Sequence, residues 1–212
     1  MFLTVPKNSR YEIKFITYEH NYYSVLNWLK LNEFNFREEY ENRTVNNIYF
    51  DTISYDSYKS NIFGDSSRIK IRYRWYGDIK NSENGNLEIK FKRNLYGWKE
   101  RYKINKFCLN KNNNWKDLIL KIESSLPLNK KIFFRNYSIP KIINQYSRNY
   151  FRSYNGKVRI TLDKGHYVFD QRCYNTPNLK KDTFTQRILV MELKFDRSER
   201  GELDHLIGSI PI

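Results

Sequence analysis

Ser67-Arg68-Ile69-Lys70-Ile71-Arg72-Tyr73-Arg74-Trp75-Tyr76-Gly77 alternates without a break. In an extended chain successive side chains point to opposite faces. Arg68, Lys70, Arg72 and Arg74 therefore share one side of a strand, and Ile69, Ile71, Tyr73 and Trp75 share the other. One face can enter a core while the other sets cations in a row. Same-face neighbours stand about 7 Å apart, a repulsion of about 0.6 kcal/mol per pair in water and several times more where solvent is thin. Ordinary solvated faces mix their signs. Two readings follow, an exposed basic strand or a surface that holds a polyanion, and the rest of the chain decides between them.

The alternation recurs along the chain. It places Arg10, Glu12 and Lys14 on one face of the opening segment, and Glu88, Lys90 and Lys92 on one face of residues 87–92. Lys99, Arg101 and Lys103 share a face in residues 98–103, Arg159, Thr161 and Asp163 in 158–163, and Glu192 and Lys194 in 190–195. Further strands are predicted over 45–51, 131–137, 141–151 and 166–172, with Gly165 as a turn. Helices are predicted over 19–31, 114–126 and from about 201 to 207, and a short helix or turn over 54–63. A flat sheet with one solvated charged face satisfies this pattern. Eight or more strands, however, usually close or fold over, which removes exposed edges. A closed sheet with its charges inside cannot leave them dry and unpaired. A lumen of Lys and Arg with a few carboxylates suits phosphate and a divalent cation.

Composition narrows the partners. The 212 residues are 40% hydrophobic and show no linker or repeat, so one domain over 1–212 is expected. A net charge of +15 points to nucleic acid, an acidic membrane surface or phosphorylated small molecules. Cys108 and Cys173 make neither a disulfide framework nor a metal spacing, which suits a reducing compartment. With no signal peptide and no apolar run near the ~20 residues of a membrane span, a cytoplasmic location is expected, any membrane association coming through a partner. Glycine-rich phosphate loops, a zinc-protease histidine pair and Gly-x-Ser-x-Gly are all missing from the sequence. A nucleic-acid module fits the charge and the aromatic content. Against it, there is no RNA-recognition signature, and Glu12, Glu88 and Glu192 would repel a phosphate backbone unless a metal intervened.

Eight pieces stand in order: Arg10-x-Glu12-x-Lys14-Phe15, Ile48-Tyr49-Phe50-Asp51, Ile71-Arg72-Tyr73-Arg74-Trp75-Tyr76-Gly77, Glu88-x-Lys90, Lys99-Glu100-Arg101, Tyr146-Ser147-Arg148, Val158-Arg159-Ile160-Thr161-Leu162-Asp163 and Glu192-x-Lys194. Together they resemble the polyphosphate polymerase domain of the vacuolar transporter chaperone (VTC) family, within the CYTH-like triphosphate tunnel metalloenzymes. No piece decides alone; the order and spacing over almost the whole chain carry the match. The resemblance implies an α+β fold, an eight-stranded antiparallel barrel with a few flanking helices around a basic tunnel. It also implies Mn²⁺ or Mg²⁺, and transfer of the terminal phosphoryl group of ATP onto inorganic polyphosphate.

Carried over by position, Lys14, Arg72, Arg74, Lys90, Arg148 and Arg159 are the catalytic phosphate-binding set. Arg10, Arg68, Lys70, Lys92, Lys99, Arg101 and Lys194 are further substrate contacts, and Tyr146 flanks the nucleotide. Glu192 is the main metal ligand, with Glu12 and Glu88 as weaker candidates that could instead pair with a lumen cation. Two departures from the pattern matter. The wider superfamily opens Glu-x-Glu-x-Lys, and Arg10 in place of the first Glu resembles the polymerase branch more than the hydrolase branch. A basic segment that follows the last helix in the family has no counterpart in residues 208–212. A form that binds triphosphate, cleaves ATP slowly and makes short chains or none is therefore expected. A tripolyphosphatase, or a barrel that binds polyphosphate without turning it over, are the alternatives on the same fold.

Overall fold

A computed structural model describes residues 11–94, 96–110, 112–180, 187–196, 199, 201 and 203–211. Eight strands form a single antiparallel sheet: β1 (Tyr11–Tyr18), β2 (Arg37–Asp51), β3 (Ser67–Tyr76), β4 (Asn84–Arg93), β5 (Tyr96–Asn105), β6 (Ile139–Arg152), β7 (Val158–Asp170) and β8 (Ile188–Phe195). Their order is β1-β8-β7-β6-β2-β3-β4-β5. The helices are α1 (Tyr22–Leu31), α2 (Asp56–Ile62), α3 (Trp115–Ser124), α4 (Leu128–Asn136) and α5 (Asp204–Gly208). The fold class is α+β.

The sheet rolls until its ends meet. The Tyr11 ring of β1 lies 6.3 Å from the Tyr96 ring of β5, and Glu12 reaches Lys90 of β4 at 2.6 Å. The apolar residues of each strand face outward, where helices cover them in two separate clusters. One joins Ile48, Ile71, Tyr73, Trp75, Leu87 and Ile89 to Trp115, Leu118 and Ile122 of α3 and Phe134 of α4. The other joins Ile160, Leu162, Met191 and Leu193 to Val25 and Leu29 of α1 and Leu206 of α5. Burying one such aliphatic side chain stabilises the fold by about 1.5–3 kcal/mol. The concave face is left to the polar residues, as the alternation of β3 requires.

Local chemistry sets the joints. The Asn114 side chain accepts the Asp117 N–H at 2.8 Å and starts α3. Asp51, at the end of β2, accepts the N–H groups of Ser57 and Tyr58 and so fixes α2. A Cβ on Gly85 would fall 2.3 Å from Tyr73 Cζ, so only glycine lets that ring lie against β4.

Three elements differ from the sequence expectation. Residues 131–137 are mostly helix (α4), which turns Phe134 inward to meet Phe50 edge to face at 5.4 Å while Ile132 and Arg135 stay exposed. Residues 158–170 form one strand, with Gly165 (φ +64°) absorbing a register shift where a turn was expected. β2 starts at Arg37 and not at residue 45, its first half held by pairing with β6. Among the described residues no helix is long and apolar enough to cross a membrane.

Candidate functional site on the concave face

Strand pairing gathers the predicted cations. Arg72 forks onto Glu88, with Nε donating at 2.8 Å and Nη2 at 2.6 Å, and its Nη1 turns to the Tyr49 hydroxyl at 3.4 Å. Lys99 and Arg101 of β5 reach the other oxygen of the same carboxylate at 3.1 and 3.0 Å. Burial alone would raise the Glu88 pKa, but Arg72, Lys99 and Arg74 outweigh it and hold the group well below the usual carboxylate range. Lys99 moves the other way: burial, against the pull of Glu88, lowers it to about 8. Arg74 donates to Asn47 at 2.7 Å and to the Tyr146 hydroxyl at 3.0 Å. Arg148 makes a two-pronged pair with Asp163, 2.5 Å on each side. Tyr146 thus stands between two guanidiniums, with Arg148 Cζ 5.3 Å from its ring centre.

The opposite wall is built of lysines. Lys14 pairs with Glu192 at 3.3 Å, Lys90 with Glu12 at 2.6 Å, and Lys194 with both Glu12 at 3.4 Å and Glu192. Burial would raise the Glu192 pKa, yet Lys194 and Lys14 hold it well below the usual carboxylate range. Glu12 and Glu192 sit on adjacent paired strands. Two carboxylates are what Mg²⁺ or Mn²⁺ takes from a protein when phosphate oxygens and waters fill the remaining positions. Glu88 is engaged by Arg72, Lys99 and Arg101, and among the described residues it forms no group of three with Glu12 and Glu192.

Not every predicted residue enters the network. Arg68, Lys70 and Lys92 make no ion pair among the described residues. Burial and the neighbouring Arg68, Lys14 and Lys90 lower the pKa of both Lys70 and Lys92. Arg159 stands apart, 3.9 Å from Glu39, beside a cavity of about 110 Å³ that it shares with Arg152, Lys157 and Lys194. Arg10 lies outside the described residues. Sequence reasoning passed over Tyr49, Asn47 and Asp163, which orient Arg72, Arg74 and Arg148. Asp163 and Tyr49 lay inside segments already singled out; the search for cations and metal ligands gave them no weight.

The arrangement can hold an extended polyanion. Among the described residues, the carboxylates paired with Lys14, Arg72, Lys90, Lys99, Arg101, Arg148 and Lys194 are Glu12, Glu88, Asp163 and Glu192, while Lys70 and Arg74 pair with none. Arginine offers planar forks for non-bridging oxygens, and lysine offers mobile point charges.

The family model described as VTC domain matches residues 9–210. No curated protein matches the chain. Among solved structures the fold is similar to a putative adenylate cyclase from Vibrio parahaemolyticus, with TM-score 0.50 and 14% identity over 94% of this chain and 86% of that one. It is also similar to a putative adenylyl cyclase from Hippeastrum with a dominant triphosphatase activity, with TM-score 0.50 and 14% identity over 96% and 88%. Likeness at that identity speaks for the fold alone.

Proposed function

The chain belongs to the VTC domain family, and from that premise we propose that it is a metal-dependent phosphotransferase that moves the terminal phosphoryl group of ATP onto a polyphosphate chain. The observation that carries this reading is the surplus of cations on the concave face, with Arg72, Arg74 and Arg148 clustered around Tyr49 and Tyr146. Phosphoryl transfer asks a protein mainly for positioning and for neutralising charge on non-bridging oxygens. The acceptor is already anionic, so no strong general base is needed. Glu88 fixes two nitrogens of Arg72 and Tyr49 takes the third, Asp163 fixes two nitrogens of Arg148, and Asn47 and Tyr146 each take one from Arg74. Lys14, Lys90 and Lys194, on longer and more mobile stems, follow the chain's oxygens. Glu192 and Glu12 would hold the divalent ion, which when bound neutralises the transferring phosphoryl group.

Incubation with ATP and Mn²⁺, with products resolved by gel, tests the reading. Chains longer than triphosphate support it. Free phosphate alone would make the protein a triphosphatase, with water as acceptor, the activity the Hippeastrum protein carries. Binding of polyphosphate with no turnover would leave a carrier.

A further inference from the structure

At the end of the concave face where β2, β3 and β6 run past the inner arginines, three tyrosines surround one guanidinium. Arg43 Cζ lies 5.1 Å from the ring centre of Tyr40 and 5.9 Å from those of Tyr76 and Tyr150. Tyr40 meets Tyr150 edge to face at 5.6 Å. These cation–ring distances approach the outer reach of such contacts, about 6 Å, so the guanidinium is loosely held.

The cluster exists because the ladder breaks. Tyr40 and Arg43 are three residues apart, and a regular strand would send them to opposite faces. Tyr40 stands against Tyr150 and Arg43 against Arg148, so three steps on β2 match two on β6. The extra residue turns Tyr40 to the side of Arg43, and bulges commonly re-aim side chains beside functional sites. Tyr40 and Tyr76 stay 49% and 46% exposed, so the group is no closed core.

Register places it next to the phosphate-binding arginines. Arg43 faces Arg148 directly across the β2–β6 pair, Tyr150 follows Arg148 by two residues, and Tyr76 follows Arg74 by two. Two residues of strand span about 7 Å, roughly the reach of a ribose. The Tyr150 phenol, pushed up mainly by burial, is pulled back by Arg148, Arg43 and Arg74, which places rings and inner guanidiniums in one field.

We propose that Tyr40, Tyr76, Tyr150 and Arg43 form a nucleobase platform at the mouth of the concave face. The proposal rests on the phosphate-binding reading above. A nucleoside triphosphate lies with its phosphates on Arg72, Arg74 and Arg148 and its base stacked on the exposed tyrosine faces. The slot already accepts one flat, delocalised group, the Arg43 guanidinium. Every base has a π-face, so the platform separates nucleotides from inorganic triphosphate without choosing between purines.

Calorimetric titration of the full chain with ATP, GTP and inorganic tripolyphosphate tests this. Tyr40→Ala and Tyr76→Ala are each expected to weaken ATP and GTP about tenfold, the scale of one base–aromatic stack, and to leave tripolyphosphate within about twofold. Tyr40→Phe keeps the ring and should keep wild-type ATP affinity. If the alanine variants do not fold, Tyr40→Leu and Tyr76→Leu keep bulk without a π-face and should give the same split. Equal losses for ATP and tripolyphosphate, or unchanged ATP affinity while tripolyphosphate still binds, would overturn the platform alone. Wild-type protein that binds neither ligand would overturn the phosphate reading and the platform with it.

Discussion

The two walls of the concave face use the same charges differently. On β3, β4 and β5 a single carboxylate, Glu88, gathers Arg72, Lys99 and Arg101, and the Arg72 side chain is 17% exposed. On β1 and β8 two carboxylates are shared among Lys14, Lys194 and Lys90 of β4; Glu192 is as buried as Glu88, at 5%, but the Lys14 side chain is 55% exposed. A buried arginine that sets two nitrogens on one carboxylate oxygen is fixed architecture, whereas lysines that water can reach can exchange a carboxylate for another anion. On the proposed reading the first wall holds shape, and the second is where ligand and metal would compete for partners. Two glutamates that look alike in sequence would then have opposite duties.

The sharpest way to break this contrast is to neutralise each glutamate. Glu88→Gln strands Arg72 without its counter-charge, and losing one partner of a buried pair costs about 3–5 kcal/mol. For a chain of this size the melting temperature should fall by roughly 10 °C, read by calorimetry. A fall of only a degree or two would put the two walls on one footing. Glu192→Gln should leave the fold largely intact, because Lys14 and Lys194 can turn to water. Mn²⁺-dependent ATP turnover should drop at least about tenfold, since a metal needs the charge and not the shape. Undiminished turnover would remove Glu192 from the metal site.

Smaller effects sharpen the picture. Lys99 titrates at about 8 in the folded protein, below the ordinary 10.5. Between those values the unfolded chain holds more protons, so stability from this group rises with pH. Phosphate, in contrast, needs the ammonium, so tripolyphosphate affinity should weaken as pH rises through 8. Lys99→Arg, measured by the same titrations at pH 7 and 9, should flatten that dependence. Smallest of all, Lys70 is repelled by Lys14, Lys90 and Arg68 and has no ion-pair partner among the described residues. Lys70→Gln should raise the melting temperature of the ligand-free protein by about 1 °C and weaken tripolyphosphate binding. A lower melting temperature would mean Lys70 has a partner the contrast does not include.

What could be read in advance followed from strand parity. Alternation in β3, β4, β5 and β8 names the concave residues, because a strand has only two faces. Parity does not say which residues meet across the roll of the sheet. Glu12 and Lys90 are 78 residues apart, and their contact needs curvature that no local pattern encodes. Helix α4 was misread because Ile132, Phe133 and Phe134 form a short apolar run that suits a buried strand equally well. The unity of β7 was hidden by Gly165, whose positive φ serves a bulge as readily as a turn. Asp163 and Tyr49 went unweighted because their part is to hold arginines, a duty visible only once the partners are placed.

The strict parity of β3 has a consequence for how this chain can change over generations. Stability is written on Ile71, Tyr73 and Trp75 and, on the proposed reading, ligand chemistry on Lys70, Arg72 and Arg74, in interleaved positions of one strand. Substitutions in one set can accumulate with little reference to the other, so the cargo can drift while the scaffold stays. Insertion or deletion of a single residue inside the strand does the reverse. It exchanges the two sets at once, sending guanidiniums into the outer core and indole into the lumen. Variation in this strand is therefore confined to replacement, and length changes are pushed out to the turns on either side.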